Sequence, residues 1–155
     1  MPKPNLFLDS SALFAGVVSP SGAGRVLLLL AEAGRLTVTV SEQVVAETER
    51  AVARKVPKAL SYYREALRST RPRMVHNPSP EEIEAHRDII AYPADVPIVV
   101  AAMKAEVDYL VTLNRRHFID DPGVAAQSGL RIGTPGDALA WVREPLTGEE
   151  EGERK

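Results

Sequence analysis

The sequence contains no cysteine and only three histidines. Without thiols the chain can form neither a disulfide nor a thiolate metal site, a composition that fits a reducing compartment. Three scattered histidines also argue against zinc, whose usual ligands are cysteine and histidine. Any metal ion would therefore be held by oxygen atoms, which favours Mg²⁺ or Mn²⁺.

Long apolar segments are also missing, since no run approaches the roughly 20 residues that span a bilayer. The chain begins Met-Pro-Lys-Pro-Asn and leads directly into a short strand-like segment instead of a signal-peptide core. We therefore expect a cytoplasmic protein that does not enter a membrane. At 155 residues and 45 % hydrophobic composition the chain is sized for one domain, which we assign to residues 1–144. For the charged tail, residues 145–155, we predict disorder.

The formal net charge of −2 conceals an uneven distribution along the chain. Residues 1–144 balance 17 basic against 17 acidic side chains, so the acid excess lies in the tail. Residues 50–73 hold eight arginines or lysines and one acid, a local charge of +7 that we call the cation block. Such a block either attracts a polyanion or forms a solvated helical face. Tyr62 and Tyr63 within it keep nucleic-acid contact open, because aromatic rings can stack on bases.

Short apolar segments alternate with helical ones along the chain. We predict strands at residues 5–8, 36–40, 73–75, 109–112 and 130–132. Helices are predicted at residues 21–33, 41–54, 57–69, 80–87, 95–106 and 123–127, and from residue 134 onward. Because crossovers between parallel strands are right-handed, this alternation predicts an α/β fold in which a parallel sheet lies between helical layers.

Polar residues stand at the ends of the apolar segments, where open α/β sheets bind their ligands. Asp9 follows the first strand, Asn114 follows the fourth, and Asp95 precedes an apolar helix. Asp9 and Asp95 could instead be helix N-caps, since aspartate is a preferred capping residue. The helix after the second strand carries two further acids, Glu47 and Glu49, and helical periodicity does not choose between them.

Five segments in order resemble the PIN-domain family: Leu-Phe-Leu-Asp-Ser-Ser, Val-Ser-Glu-Gln-Val-Val-Ala-Glu, Asp-Val-Pro-Ile-Val-Val-Ala-Ala, Asp-Tyr-Leu-Val-Thr-Leu-Asn-Arg-Arg-His-Phe and Ile-Gly-Thr-Pro. The resemblance runs from about residue 5 to about residue 142. It implies a three-layer α/β/α sandwich with a short five-stranded parallel sheet. It also implies metal-dependent ribonuclease activity, as in the toxins of bacterial toxin–antitoxin pairs, an antitoxin partner and a homodimer or higher homo-oligomer.

By the same resemblance, the catalytic and metal-binding positions are Asp9, Glu47, Asp95 and Asn114. Members often have aspartate where this chain has Asn114, so a carboxylate is lost and weaker binding of Mg²⁺ or Mn²⁺ is expected. Supporting hydroxyls are expected from two residues, Ser10 and Thr112. RNA contacts are expected from a set of basic side chains, Arg50, Arg54, Lys58, Arg115 and Arg116.

Other interpretations remain beside this one. A phosphatase with Asp9 as nucleophile would usually carry a second aspartate two residues later, where this chain has Ser11. A catalytically weak or inactive PIN-like module that binds RNA or protein is the stronger alternative, because Asn114 leaves the metal site with one carboxylate fewer. For His117 we favour a packing or hydrogen-bonding role. The remaining acids near the site are assigned to structure, Asp108 before its strand and Asp120 and Asp121 in a turn.

Overall fold

The computed structural model describes residues 3–153, with side chains described through residue 144. Five strands form one parallel sheet in the order β3-β2-β1-β4-β5. The strands are β1 (Asn5–Leu8), β2 (Thr37–Ser41), β3 (Arg73–Val75), β4 (Tyr109–Val111) and β5 (Ile132–Gly133). This arrangement confirms the predicted α/β class and the five-stranded parallel sheet.

Helices cover both faces of the sheet. They are α1 (Ser10–Val18), α2 (Ala23–Glu32), α3 (Glu42–Lys55), α4 (Leu60–Thr70), α5 (Pro80–Ala85), α6 (Val96–Lys104), α7 (Pro122–Ser128) and α8 (Pro135–Glu153). Helices α1 to α4 contact one another and α2 contacts α8, whereas α6 contacts α5 and α7. Short 3₁₀ turns occupy Pro57–Ala59 and Pro93–Asp95, and a π turn occupies Arg115–Ile119.

Strand β1 lies at the centre of the sheet and is completely buried from Leu6 to Leu8. Its position follows from its sequence, because a parallel strand covered by helices on both faces reads as a continuous apolar run. Strand β2 lies on one side of β1 in the sheet, and β4 lies on its other side. The strand order therefore reverses between β1 and β4, and a ligand crevice is expected at their carboxyl ends.

Local sequence explains how the helices begin beside this crevice. Asp9 caps α1 by accepting the backbone N–H of Ala12, and Ser41 caps α3 by accepting that of Val44. The close packing of α1 against α2 depends on Gly16, because a Cβ there would lie 2.9 Å from the Leu28 side chain and 3.0 Å from a backbone oxygen. The helix that follows Asp9 is thus packed closely against α2.

The structure differs from the sequence prediction at several points. Helix α1 was not predicted beyond its first turn, because its apolar residues show no amphipathic face when both sides are buried. The π turn was missed as well, since its residues are polar and charged. Most other boundaries agree within about two residues, as expected where helix ends fray.

Helix α8 continues through Glu153, into the segment for which we predicted disorder. Side chains of that segment lie outside the described residues, so the domain boundary and the character of the tail stay predictions. Among the described helices, no single one is long and apolar enough to cross a bilayer; α1 and α2 reach the required length only together, across an 87° bend.

Candidate metal and nucleic-acid site

Asp9 stands at the carboxyl end of β1 and is only 6 % exposed. Its Oδ1 accepts hydrogen bonds from Ser11 Oγ at 2.7 Å and from the Ala12 N–H at 2.9 Å. Its Oδ2 accepts one from Thr112 Oγ1 at 2.5 Å, across the junction between β1 and β4. Burial raises the pKa of Asp9, and the nearby charge of Asp95 raises it further, against the effect of these three donors.

Asp95 lies in the 3₁₀ turn that precedes α6, with its side chain 21 % exposed. It makes no capping hydrogen bond, so the interpretation of Asp95 as a simple N-cap is wrong. Its Oδ2 lies instead 2.7 Å from Nδ1 of His117, which confirms a hydrogen-bonding role for that histidine. The ring of His117 stacks on Tyr92, with centroids 3.4 Å apart and planes 12° from parallel. The imidazole therefore holds the Asp95 carboxylate in a fixed orientation.

Glu47 approaches the same region from α3. Its Oε2 accepts a hydrogen bond from Ser10 Oγ at 3.0 Å, and its Oε1 accepts one from Gln43 Nε2 at 2.8 Å. Glu49, the other acid on this helix, points to the surface and pairs with Arg64 at 2.7 Å. The structure therefore turns Glu47, and not Glu49, toward the residue that follows Asp9.

Asn114 follows β4, and its side chain caps the π turn by accepting the His117 N–H at 3.2 Å. Its own N–H donates to Thr112 Oγ1 at 3.0 Å, while the Leu113 N–H donates to Ser11 Oγ at 3.0 Å. Thr112 and Ser11 both donate to the Asp9 carboxylate. Their two hydroxyls therefore connect the segment after β4 to Asp9. Thr112 thus lies beside Asp9 and Ser10 lies beside Glu47, and the supporting role of the two hydroxyls stays a prediction.

The donor set has the chemistry of a site for a hard cation, since it consists of carboxylate and amide oxygens. None of the ion pairs within the described residues joins a lysine or arginine to Asp9, Glu47 or Asp95. Across residues 3–144, however, no three acidic or histidine side chains are grouped closely enough to form a metal site. Asp9 and Asp95 interact electrostatically, whereas Glu47 is connected to them only through Ser10. The four-residue metal site thus stays a prediction.

All eight cations of the cation block are exposed to solvent. They lie on α3, the following turn, α4 and the edge strand β3. Arg54 stands seven residues after Glu47, about 10 Å further along α3 and on nearly the same face. Arg115 and Arg116 are exposed in the π turn directly after Asn114. Positive charge therefore flanks the acids from two elements, and the RNA contacts of these side chains stay predictions.

Sequence reasoning missed several contributors to this site. Gln43 holds one oxygen of Glu47, and its signal was the i, i+4 spacing between the two residues on one helix. From the sequence, Ser11 was considered only as the position where a phosphatase would carry a second aspartate. A hydroxyl two residues after an aspartate is nevertheless a common hydrogen-bond donor in turns. Nothing in the sequence pointed to Tyr92, because its contact with His117 joins two segments far apart in the chain.

Comparisons with known proteins agree with this geometry. The family model of the PIN domain matches residues 5–116, which include β1 to β4 and the four candidate residues Asp9, Glu47, Asp95 and Asn114. No curated protein sequence matches the chain.

Several solved structures share the fold. The crystal structure of PAE2754 from Pyrobaculum aerophilum superposes with a TM-score of 0.62 at 15 % identity, over 90 % of this chain and 89 % of that one. VapBC2 from Rickettsia felis, bound to a DNA fragment from its promoter, gives 0.58 at 18 % identity, over 84 % and 98 %. FitAcB from Neisseria gonorrhoeae gives 0.56 at 20 % identity, over 84 % and 97 %. At these identities the likeness shows the fold.

Proposed function

Because this chain belongs to the PIN-domain family, whose members are generally nucleases, we propose that it is an endoribonuclease that depends on Mg²⁺ or Mn²⁺. It hydrolyses RNA phosphodiesters with water as the nucleophile and leaves a 5′-phosphate and a 3′-hydroxyl. Asp9, Glu47, Asp95 and Asn114 are the proposed catalytic and metal-binding residues.

One observation carries the proposal. The Asp9 carboxylate is buried at the point where the strand order reverses, beside Asp95, and no described ion pair links either acid to a lysine or arginine. Asp95 has His117 as a partner, whereas the partners of Asp9 are two hydroxyls and a backbone N–H. Burying the Asp9 carboxylate beside a second acid is costly unless a cation joins them. An oxygen-rich site at this position is suited to a divalent ion and a phosphate.

Each residue has a distinct task in the proposed reaction. Ser11 and Thr112 fix the plane of the Asp9 carboxylate, and His117 does the same for Asp95. Glu47 is held by Ser10 at the side facing α3. When bound, Mg²⁺ or Mn²⁺ supplies positive charge for the phosphate oxygens and lowers the pKa of the attacking water. No side chain is needed as a covalent nucleophile.

The exposed cations provide the RNA-binding surface in this proposal. Arg50, Arg54 and Lys58 would contact phosphates along α3 and the next turn, and Arg115 and Arg116 would contact those nearest the acids. Replacing Arg50, Arg54 and Lys58 by glutamine should lower RNA affinity and reduce the dependence of affinity on salt, because each lost phosphate contact removes counterion release. Unchanged affinity and salt slope would contradict this surface.

The decisive experiment compares Asp9→Asn with Asp108→Asn. Asp108 lies before β4 at the opposite edge of the sheet, where its Oδ2 accepts the Asn5 N–H at 2.8 Å. Asp9→Asn should reduce metal-dependent cleavage of single-stranded RNA at least about a hundredfold, since metal catalysis supplies several kcal/mol. Asp108→Asn should cleave like the wild type. Equal activity of the two variants would refute the proposed site.

A second candidate is a PIN-like module that binds RNA or protein with little or no catalysis. The lack of a three-acid group in the described side chains and the neutral Asn114 favour it. RNA binding without metal-dependent cleavage, unchanged in Asp9→Asn, would select this alternative.

We further propose a cytoplasmic protein that pairs with an antitoxin and forms a homo-oligomer. The similarity to VapBC2 and to FitAB bound to DNA supports the antitoxin part. A small acidic protein encoded directly upstream, co-purifying with this chain and blocking its cleavage of RNA, would establish the pair. A monomer by light scattering at micromolar concentration would contradict the homo-oligomer.

A further inference from the structure

Two open pockets lie on either side of the exposed Leu113. The first, which we call the α8 pocket, has a volume of about 380 Å³ and is lined by Leu113, Arg115, Ser19 and the start of α8 at Thr134 and Pro135. The second, the α3 pocket, has a volume of about 350 Å³ and is lined by Leu113, Ser10, Phe14, Glu47 and Lys55. Leu113 and Ala15 are the residues common to both. Each volume lies near the lower end of the range for small-ligand sites.

Leu113 is 48 % exposed although it stands between two residues of the candidate site. A single exposed leucine is ordinary on a protein surface and by itself indicates nothing. Leu113 differs because its backbone is anchored. Its N–H donates to Ser11 Oγ, which donates to Asp9 Oδ1, so the leucine is held in a fixed position relative to the buried carboxylate.

The two pockets share a cation and hydroxyl groups but differ otherwise, because Glu47 and Phe14 line only the α3 pocket. Each contains one exposed cation, Arg115 in the α8 pocket and Lys55 in the α3 pocket. Each also contains serine hydroxyls and an apolar wall. Lys55 lies 5.4 Å from the centre of the Phe14 ring, so cation and aromatic surface are adjacent. In the α3 pocket an anionic group with an attached planar base suits this combination, and a nucleotide has both parts. In the α8 pocket Arg115 and the serine hydroxyls suit the phosphate of a neighbouring nucleotide.

We propose that Leu113 is a wedge between two nucleotide subsites, one in each pocket, and that it unstacks the two nucleotides on either side of the cleaved phosphate. The inference rests on the proposed function for the identity of its ligand. Apolar side chains that enter between neighbouring bases unstack them. Stacked bases are only roughly 3.4 Å apart, so a leucine cannot enter a duplex without disrupting it. The wedge thereby selects unpaired RNA and turns the phosphate between the two nucleotides toward Asp9. Leu113 is a positioning residue in this account.

The test uses a short oligoadenylate in which every second base is 2-aminopurine, whose fluorescence rises on unstacking. Binding is measured at low salt with EDTA, so that no cleavage is required. Wild type should raise the fluorescence, whereas Leu113→Ala should lose most of this rise and bind about tenfold more weakly, as expected when an apolar side chain is no longer buried against the bases. Leu113→Met should retain both properties. The matched control is Leu29→Ala, because Leu29 has nearly the same exposure, 47 %, and lines neither pocket.

A competing RNA duplex should displace the labelled strand from Leu113→Ala more readily, relative to an unlabelled single strand, than from wild type. The proposal is overturned if Leu113→Ala and Leu29→Ala behave alike, or if wild type binds the strand without unstacking it. These outcomes are separate from the cleavage assay. Metal-dependent cleavage lost in Asp9→Asn with no effect of Leu113→Ala would refute the wedge alone, whereas unstacking without any cleavage would refute the nuclease alone.

Discussion

Glu82 and Asp9 are acidic side chains near helix starts, but Glu82 has a lysine as its partner whereas Asp9 is buried among neutral donors. Glu82 on α5 pairs with Lys104 on α6 at 2.7 Å and accepts the Ser79 N–H in a capping box. The hydrogen bond from Lys104, followed by that from Ser79, lowers the pKa of Glu82 to about 2. Burial raises the pKa of Asp9, whose described partners are hydroxyls and a backbone N–H.

The difference separates a structural carboxylate from one available for function. The α5–α6 contact contains its own counter-charge and needs nothing further. The region around Asp9 is arranged by hydroxyls, which orient a carboxylate without neutralising it. We propose that a divalent cation with its phosphate ligand supplies the counter-charge for that region.

The largest expected effect is on thermal stability with Mn²⁺. The ion should raise the melting temperature of wild type by several degrees, because a ligand at 100 times its Kd adds about 2.7 kcal/mol to the stability of the folded state. Asp9→Asn should respond little. Glu82→Gln should respond like wild type, since it removes an acid whose cation lies within the chain. Equal responses in all three proteins would show that the distinction between the two regions is wrong.

The next largest effect is expected from Asn114→Asp. A fourth carboxylate in the crevice should increase Mg²⁺ or Mn²⁺ affinity severalfold, and activity should rise at low metal concentration. The added charge should also lower the melting temperature in metal-free buffer at neutral pH, because the acids repel each other more strongly. Calorimetric titration with matched melts measures both effects. Identical metal affinity in the two proteins would place residue 114 outside the site.

A smaller effect is expected from pH in metal-free buffer. Because the folded pKa of Asp9 is raised, the folded state holds its proton to higher pH than the unfolded chain does. Stability from this group is therefore complete below the unfolded pKa of about 3.9 and is lost as the pH rises through the folded pKa. Asp9→Asn should melt a few degrees higher than wild type at neutral pH, and the difference should shrink below pH about 4. A gap that widens on acidification would contradict the raised pKa.

The smallest effect is expected from Lys104→Met, which changes the surroundings of Glu82 and leaves the region of Asp9 unchanged. Lys104→Met removes the main cause of the low Glu82 pKa, so this pKa should return toward its ordinary value of 4.5. NMR titration of the Glu82 side chain measures the change. The response to Mn²⁺ should stay that of wild type. A Glu82 pKa that remained about 2 would assign the shift to the Ser79 capping box alone.

Much of the architecture could be predicted from local sequence. The segment Asn5–Leu8 was correctly predicted as a strand, and Ser41 was correctly placed at the start of a helix. Asp9 shows why two interpretations of one residue need not compete. It caps α1 and lies in the crevice, because the first residue after a parallel strand occupies both positions.

Side-chain partners that are distant in sequence could not be predicted from local patterns. Helical periodicity placed Glu47 and Glu49 at the two edges of the apolar face and did not favour either as a site residue. The family resemblance alone selected Glu47. In the structure, Ser10 is the partner of Glu47 and Arg64 the partner of Glu49. Local patterns state which face of a helix is apolar, but they do not state which element packs against its edge.

The sequence by itself determined the alternation of strands and helices apart from α1 and the π turn, the preference of any metal site for oxygen ligands and the positive charge of residues 50–73. These properties depend on composition and on contacts within a few residues. Only the tertiary structure decided that His117 holds Asp95, that Thr112 reaches Asp9 across 103 residues and that Leu113 separates two pockets. Such contacts arise when β4 inserts beside β1, because the pairing of distant strands brings together side chains whose proximity no local pattern records.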